Sequence, residues 1–203
     1  MASVSTAAVD RSGRGGIRAP ATIETDRLVL RRPLVSDADT VFARYAGDPA
    51  VTRFLGWRTH RSVGDTQLFL ASCDAEWRQS GVGPYLIQSR EDGELLGSAG
   101  LRLASPQQAA IGYLLARDAW GRGYATEALR ALRDLAMRLG VLRLSALCHP
   151  EHRASWRVME KCGFTREGIL RGHAQFPNLA PGVAADVVCY SSVFDTGWNP
   201  VVI

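Results

Sequence analysis

The chain has 203 residues, 46% of them hydrophobic and 22% charged, enough for one domain with a buried core and short for two. Its net charge of +4 divides evenly: Arg11, Arg14 and Arg18 against Asp10 give residues 1–20 a charge of +2, and the remaining 21 basic and 19 acidic residues give +2 more. So neutral a body argues against a dedicated nucleic-acid binder, and no apolar run approaches the ~20 residues that span a bilayer.

Residues 1–20 are Ala, Ser, Gly and Arg with almost no large apolar side chain. They bury too little surface to offset ordering and are expected to be a disordered tail. An Arg-rich, acid-poor start also resembles an organelle transit peptide, but the amphipathic apolar face is missing. ETDRLVLRRP, from Glu24, alternates and breaks at Pro33, which predicts a first strand. SDADTVFARYAG predicts a first helix, with Ser36 as N-cap, acids in the first turn and Gly47 as its stop. Residues 48–60 carry a proline, a glycine and two aromatics and read as a loop or a broken helical turn. A second helix is expected from about Val63 to Gln79, on the apolar positions Leu68, Phe69, Ala71, Cys73 and Trp77.

PYLIQSR, LLGSAGLRL and AAIGYLLAR are three short apolar runs separated by EDGE and ASPQQ, which predicts an antiparallel meander. The helix after Gly123 has Leu129, Leu132, Ala136 and Leu139 on one stripe and stops at Gly140. VLRLSALC is the next strand, and HRASWRVMEKCG a short helix with Gly163 past its end. FTREGILRGH and DVVCYSSVF are closing strands, split by the Pro/Gly-rich loop 176–184. That order indicates a single α/β domain over residues 21–203, built on a mixed sheet. Cys73, Cys148, Cys162 and Cys189 form no CxxC pair and no signal peptide is visible, so reduced thiols in a cytoplasm are expected.

The stretch IGYLLARDAWGRGYAT, residues 111–126, carries the chemistry. It reads as a strand, a glycine turn and a helix start. Unpaired N–H groups and the positive end of a helix dipole then meet where a phosphate can sit. Gly121 and Gly123 let the backbone curl against a ligand. Arg122 between them offers a charge-assisted hydrogen bond worth roughly 1.5–3 kcal/mol. A Walker loop needs GxxxxGK followed by Ser or Thr, which is absent. A Rossmann turn needs a third glycine where Thr126 stands and an acid near position 145, where the sequence is LRLSALC. The glycines alone leave a plain tight turn without ligand open.

The segment from Glu24 to about Phe194 resembles the GNAT acyl-CoA N-acetyltransferase superfamily, and within it the branch of ribosomal-protein alanine/serine N-terminal acetyltransferases. TDRLVLRRPLVSDAD is similar to the branch's opening strand and helix start, IGYLLARDAWGRGYATEAL to its acetyl-CoA motif, and HRASWRVMEKCGFTREGILRGH to its following helix and strand. The resemblance implies a GNAT fold, a mixed and mostly antiparallel sheet with helices on both faces and a splayed strand pair for acyl-CoA. It implies that Tyr113, Leu114, Leu115 and Ala116 offer backbone groups to the pantetheine arm. The amides of Gly121, Arg122, Gly123, Tyr124 and Ala125, with Thr126 at the edge, would hold the pyrophosphate. Two positions depart from the pattern. Trp120 replaces the Gln or Arg that opens the signature, and His152 replaces an Asn near the cofactor arm, with Ser155 in place.

Acetyl transfer from a thioester to an amine asks for a deprotonated amine, a stabilised oxyanion and a leaving thiolate. Backbone N–H groups near Leu114 and Leu115 are the oxyanion donors that the resemblance implies. Met159 stands where many members carry a tyrosine acid, and Gln107, Gln108 and Ala110 where others carry a glutamate, so neither group is carried over. The remaining candidates are Ser155, His152, His173 and Tyr190. An α-amine, with a pKa near 7.7–8.0, needs less help from a base than a lysine near 10.4. That favours an α-amine or another low-pKa acceptor. Phe54, Trp57 and Trp77 are candidates to line an acceptor pocket, because the loop near residues 48–60 borders that site in the relatives; as core aromatics they need no such role. Cys148, His149, His152 and Cys162 suggest a metal only weakly, since neighbours on a strand point to opposite faces, and no metal is expected. Acetyl-CoA is thus the implied co-substrate. The acceptor is a protein N-terminus or a small-molecule amine such as an aminoglycoside-like antibiotic, no nucleic acid or membrane is expected as a partner, and a homodimer is compatible with the resemblance. A regulatory acyl-CoA-binding domain that does no chemistry is a third option.

Overall fold

Alternation along residues 22–31 produces two strands where one is expected. In a computed structural model that describes residues 18–194, β1 (Thr22–Glu24) and β2 (Leu28–Arg31) form a hairpin. Its turn is closed by the Thr25 N–H on the Leu28 carbonyl at 2.9 Å and by the Leu28 N–H on the Thr25 hydroxyl at 3.0 Å. Of the expected tail, residues 1–17 lie outside the described residues. Ala19 donates to the Gly81 carbonyl at 2.8 Å, and Pro20 accepts the Tyr85 hydroxyl at 2.7 Å.

The first helix is composite. A 3-10 turn at Val35–Asp37 runs into α1 (Ala38–Val41), which relaxes into a π turn at Phe42–Ala46 before Gly47. Ser36 does not cap it. Leu34 is the N-cap, and the Asp37 carboxylate accepts its N–H at 2.7 Å while gripping Arg31 of β2 at 2.7 and 2.9 Å. A charged partner on the neighbouring strand thus overrides the local preference for serine. After α2 (Pro49–Thr52), capped by the Asp48 side chain, α3 spans Val63–Ser80. Ser62 and Asp65 cap α3 reciprocally, and Gly81 in the left-handed region (φ 73°) ends it. Its buried face is Thr66, Leu70, Cys73 and Trp77. Leu68, expected on that face, is 75% exposed, because the 3.6-residue period carries it away from the sheet.

The meander forms as expected, with β3 (Pro84–Ser89), β4 (Leu95–Ser105) and β5 (Gln108–Leu115). Then follow α4 (Tyr124–Arg138), β6 (Arg143–Cys148), α5 (Arg153–Lys161), β7 (Thr165–Gln175) and β8 (Ala184–Val193). The sheet order is β1-β2-β3-β4-β5-β6-β8-β7, and every neighbouring pair is antiparallel except β5 and β6. One core lies between the sheet and α4, where Leu129, Leu132, Leu135 and Ala136 are fully buried. A smaller one lies under α1 and α3 around Val41, Tyr45, Leu70 and Leu86. Each such large apolar side chain contributes roughly 1.5–3 kcal/mol, enough to fix helices on both faces. No described helix is long and apolar enough to cross a membrane.

The parallel pair is the irregular one. β5 and β6 pair only at Gln108–Ala110 against Arg143–Ser145. Beyond Ala110 they part, while β5 stays paired with β4 up to Leu115.

Candidate active site

Two openings converge on the end of β5. The first is the glycine turn. After a 3-10 turn at Arg117–Ala119 the chain reverses through Gly121 (φ 73°) and Gly123 (φ 83°), both in the left-handed region. Gly123 is the N-cap of α4 and no side chain caps that helix. The amides of Tyr124, Ala125 and Thr126 therefore lack an intrahelical acceptor and face outward, ready for an anion.

The turn is held from several sides. Arg27 donates to Glu127 at 2.7 Å and to the Arg122 carbonyl at 3.1 Å, and its guanidinium lies 4.7 Å from the Tyr124 ring centroid. Glu127 also accepts the Thr25 hydroxyl at 2.6 Å and the Arg27 amide at 2.9 Å. Burial alone would raise the Glu127 carboxyl, but the bonds from Thr25 and Arg27 outweigh it and hold the group below its ordinary range. An ionised acid in the first turn is thereby neutralised by its own arginine, which leaves the helix start without net negative charge. Arg44 grips Asp118 at 2.9 Å and the Leu95 carbonyl at 2.8 Å, and Arg117 reaches Asp48 at 2.7 Å. Trp120 donates its indole N–H to the Leu115 carbonyl at 2.8 Å. The residue that departs from the signature thus closes the end of the strand.

The second opening is the gap between β5 and β6. The Ala116 amide reaches Leu96 on β4 at 2.8 Å, whereas the Gln107 carbonyl faces Leu142 and Arg143. By strand alternation, Tyr113 and Leu115 turn their backbone groups into the gap and Leu114 turns its own toward β4. Of the two residues expected as oxyanion donors, Leu115 faces the gap and Leu114 does not. Gly97 allows this close approach, since a Cβ there would stand 2.2 Å from the Leu114 carbonyl oxygen.

Across the gap, the Tyr113 hydroxyl donates to the Ser155 carbonyl at 3.0 Å and lies 2.9 Å from the Ser155 hydroxyl. Burial pushes the Tyr113 pKa up, so the phenol keeps its proton. His152 sits at the start of α5 with its ring stacked on Phe54 at 4.8 Å; His149 stacks on Phe54 at 5.0 Å and meets Phe176 edge-on. Burial, with help from His149, lowers the His152 pKa, which favours the neutral ring. Tyr190 is engaged elsewhere, with its hydroxyl on Glu160 at 3.0 Å; burial and then Glu160 push its pKa up to about 12. His173 is exposed on β7. The structure thus places Ser155 and His152 together at the start of α5, with Phe54 stacked on His152, and ties the Tyr190 hydroxyl, from β8, to Glu160 of α5. Among the described residues, no group of three His, Cys, Asp or Glu is arranged to hold a metal ion.

A pocket of about 400 Å³ opens on the α3 side of β4 and β5. Its floor is made of the small residues Ser98, Gly100, Ala110 and Gly112, one wall is the Phe69, Ser72, Cys73 and Glu76 face of α3, and Leu55 and Trp57 form the lip. Leu114 lines its inner end, so the pocket and the gap share one strand. Trp57 lines it and Phe54 does not. Trp77 is a core residue, with its indole on the Pro84 carbonyl at 2.8 Å and Tyr85 edge-on at 5.0 Å. The lip is tied down by Asn178 of the 176–183 loop. Its side chain donates to the Thr52 and Trp57 carbonyls, both at 2.8 Å, and accepts from the Thr59 amide at 3.0 Å and hydroxyl at 3.3 Å.

Arg27, Tyr113 as a hydroxyl, Glu76 and Asn178 were not foreseen from sequence. Their partners lie 100, 42, 26 and up to 126 residues away, so no local pattern announces them.

An uncapped helix start beside a strand pair that parts offers a place for an anion next to a cleft for an extended arm. Comparison with known proteins gives this fold its family. Residues 27–165 match the acetyltransferase (GNAT) domain. The chain is 30% identical over 173 residues to the uncharacterised N-acetyltransferase p20 of Bacillus licheniformis, covering 84% of this chain and 94% of that one. The fold is similar to that of the microcin C7 self-immunity acetyltransferase MccE, solved with acetyl-CoA and AMP (TM-score 0.77, 21% identity, 87% of this chain and 98% of that one). It is also similar to the Salmonella typhimurium acetyltransferase that modifies the N-terminal serine of ribosomal protein L7/L12 (TM-score 0.73, 24% identity, 84% and 96%). The chain belongs to the GNAT acetyltransferase family, and is an acetyl-CoA-dependent acyltransferase.

Proposed function

We propose that this protein moves the acetyl group of acetyl-CoA to a primary amine, and that the natural acceptor is a protein N-terminal α-amine in the cytoplasm. The pyrophosphate is assigned to the amides of Gly121–Thr126 and the pantetheine arm to the gap edge of β5. The amine nitrogen attacks the acetyl carbon directly, forming the C–N bond in a ternary complex. The amides of Tyr113 and Leu115, already turned into the gap, carry the oxyanion charge. When the C–S bond breaks, the Ser155 hydroxyl donates to the departing thiolate, and the Tyr113 phenol, turning from the Ser155 carbonyl to the Ser155 Oγ 2.9 Å away, donates to that hydroxyl in turn. The proton lost by the amine reaches the thiolate through water. His152 lines the same space in its neutral form and serves to position the arm.

The observation that carries the choice of acceptor is the pairing of the pocket's carboxylate. Glu76 is paired with Arg102 at 3.1 Å, so the pocket offers an incoming amine no unpaired carboxylate. An α-amine, partly deprotonated near pH 7.7–8.0, manages without one. The similarity to the enzyme that modifies an N-terminal serine supports the same choice. A small-molecule amine is the second reading, favoured by Trp57 and Phe69 in the pocket and by the similarity to MccE. Thiol release from acetyl-CoA with a panel of peptides and amines separates the cases. Release with peptides is expected; release with amines alone selects the second reading, and binding without release selects a regulatory acyl-CoA domain.

A further inference from the structure

The pocket's walls say more about the acceptor than that it is an amine. Among its described lining residues the only fixed charges are Glu76 and Arg102, and they neutralise each other across 3.1 Å. Cys73 contributes no charge, since burial pushes its thiol up to about 12. The lip is aromatic. Trp57 and Phe69 lie with ring centroids 5.8 Å apart and planes within 27°, and His60 backs Trp57 at 4.9 Å. His60 is held by Thr66 at 2.8 Å, and burial lowers its pKa, so this ring too is neutral. The floor opposite is nearly bare, and at Gly112 the direction of a side chain meets open space. The result is a slot of about 400 Å³ lined by aromatic rings and small residues, with no net charge.

We infer that the acceptor is a primary amine bearing an aromatic or bulky apolar group that seats against Trp57 and Phe69, with no second positive charge. This rests on reading the pocket as the acceptor's site. A ring in the slot gains apolar burial and offset stacking. A polycation would desolvate several charges beside a carboxylate already engaged by Arg102, at a cost nothing in the slot offsets. For an N-terminal acceptor, the group is the side chain of one of the first two residues. Polyamines and aminoglycoside-like amines are excluded by the same reasoning.

The test is thiol release at saturating acetyl-CoA with 2-phenylethylamine, butylamine, spermidine and kanamycin, and with peptides differing only in Phe, Ala or Lys at the first two positions. Aromatic members should exceed their aliphatic counterparts at least about tenfold in kcat/KM, the range a single apolar group commands. Trp57→Ala should reduce that ratio to about threefold or less, with Trp57→Phe restoring it and the KM for acetyl-CoA unmoved. Equal or better turnover of spermidine or kanamycin, or a ratio indifferent to Trp57→Ala, overturns the inference. Calorimetric titration of 2-phenylethylamine into the CoA-loaded protein separates it from the catalytic reading. Binding that Trp57→Ala weakens, without thiol release from any amine, keeps the slot and removes the transferase. Absence of binding removes the slot.

Discussion

Gly123 concentrates the demands on the donor site in one residue. Its φ of 83° lies where side chains are strained, and a Cβ there would stand 3.4 Å from the Arg27 guanidinium. Gly123→Val adds a β-branched side chain to that position, costing roughly 1–3 kcal/mol in the turn. The turn shifts, and its amides no longer converge. Acetyl-CoA affinity should fall at least about tenfold, since about 1.4 kcal/mol is a factor of ten, while circular dichroism stays that of the folded chain. Unchanged affinity would remove the turn from the cofactor site. Ser155 makes a different prediction, because its hydroxyl is the group proposed to meet the departing sulfur. Ser155→Ala should lower kcat about 10²-fold with little change in the KM for acetyl-CoA, and Tyr113→Phe should lower it less, since it acts through Ser155. A kcat insensitive to Ser155→Ala refutes its role at the sulfur.

At the scale of elements, what is legible in the sequence follows the distance over which each is built. The glycine turn and α4 are encoded within a single stretch, so both elements can be read residue by residue. The same holds for the meander, whose three runs alternate between turn signals. The hairpin at residues 22–31 and the 3-10/α/π helix after it are not legible, because Thr25, Arg27 and Arg31 also answer to Glu127 and Asp37, outside the hairpin itself. The acceptor side is hidden for the same reason. Its lip is a loop, shaped less by its own sequence than by Asn178, whose side chain satisfies four groups between Thr52 and Thr59. Removing that amide strands several part-buried backbone groups, each costing roughly 1–3 kcal/mol, and the lip should open locally. Asn178→Ala should raise the amine KM about five- to fiftyfold, in line with that loss, and leave the acetyl-CoA KM alone. Hydrogen exchange over residues 53–60 should quicken in parallel. Exchange unaltered there, or both KM values rising together, argues against a clamp specific to the acceptor.

The whole molecule is stitched by three such carboxylates. Asp37 joins the first helix to β2 through Arg31, Asp48 joins α2 to the donor turn through Arg117, and Glu127 joins α4 to the β1–β2 turn through Arg27. In each case burial pushes the carboxyl up and is outweighed: at Asp37 by Arg31 and the Leu34 amide, at Asp48 by the Ala50 amide and Arg117, and at Glu127 by Thr25 and Arg27. All three pKa values are therefore lower in the folded protein than in the unfolded chain. The stability they contribute is fully present above the unfolded carboxylate range near pH 4 and is lost as pH falls through their lower folded values. Calorimetry should show a melting temperature that is level from neutrality down to about pH 5 and falls steeply below about pH 4. Glu127→Gln removes one of the three linkages. At pH 7 it should lower the melting temperature by about 2–4 °C for each kcal/mol of pairing lost, and its acid decline should be shallower than that of the parent, because one fewer group takes up a proton on unfolding. Since the pair it breaks also braces the glycine turn proposed to hold the pyrophosphate, saturating acetyl-CoA should recover part of the difference through its preference for the folded state. A parent protein whose melting temperature is flat from pH 6 to 3 would show that these linkages do not contribute to its stability.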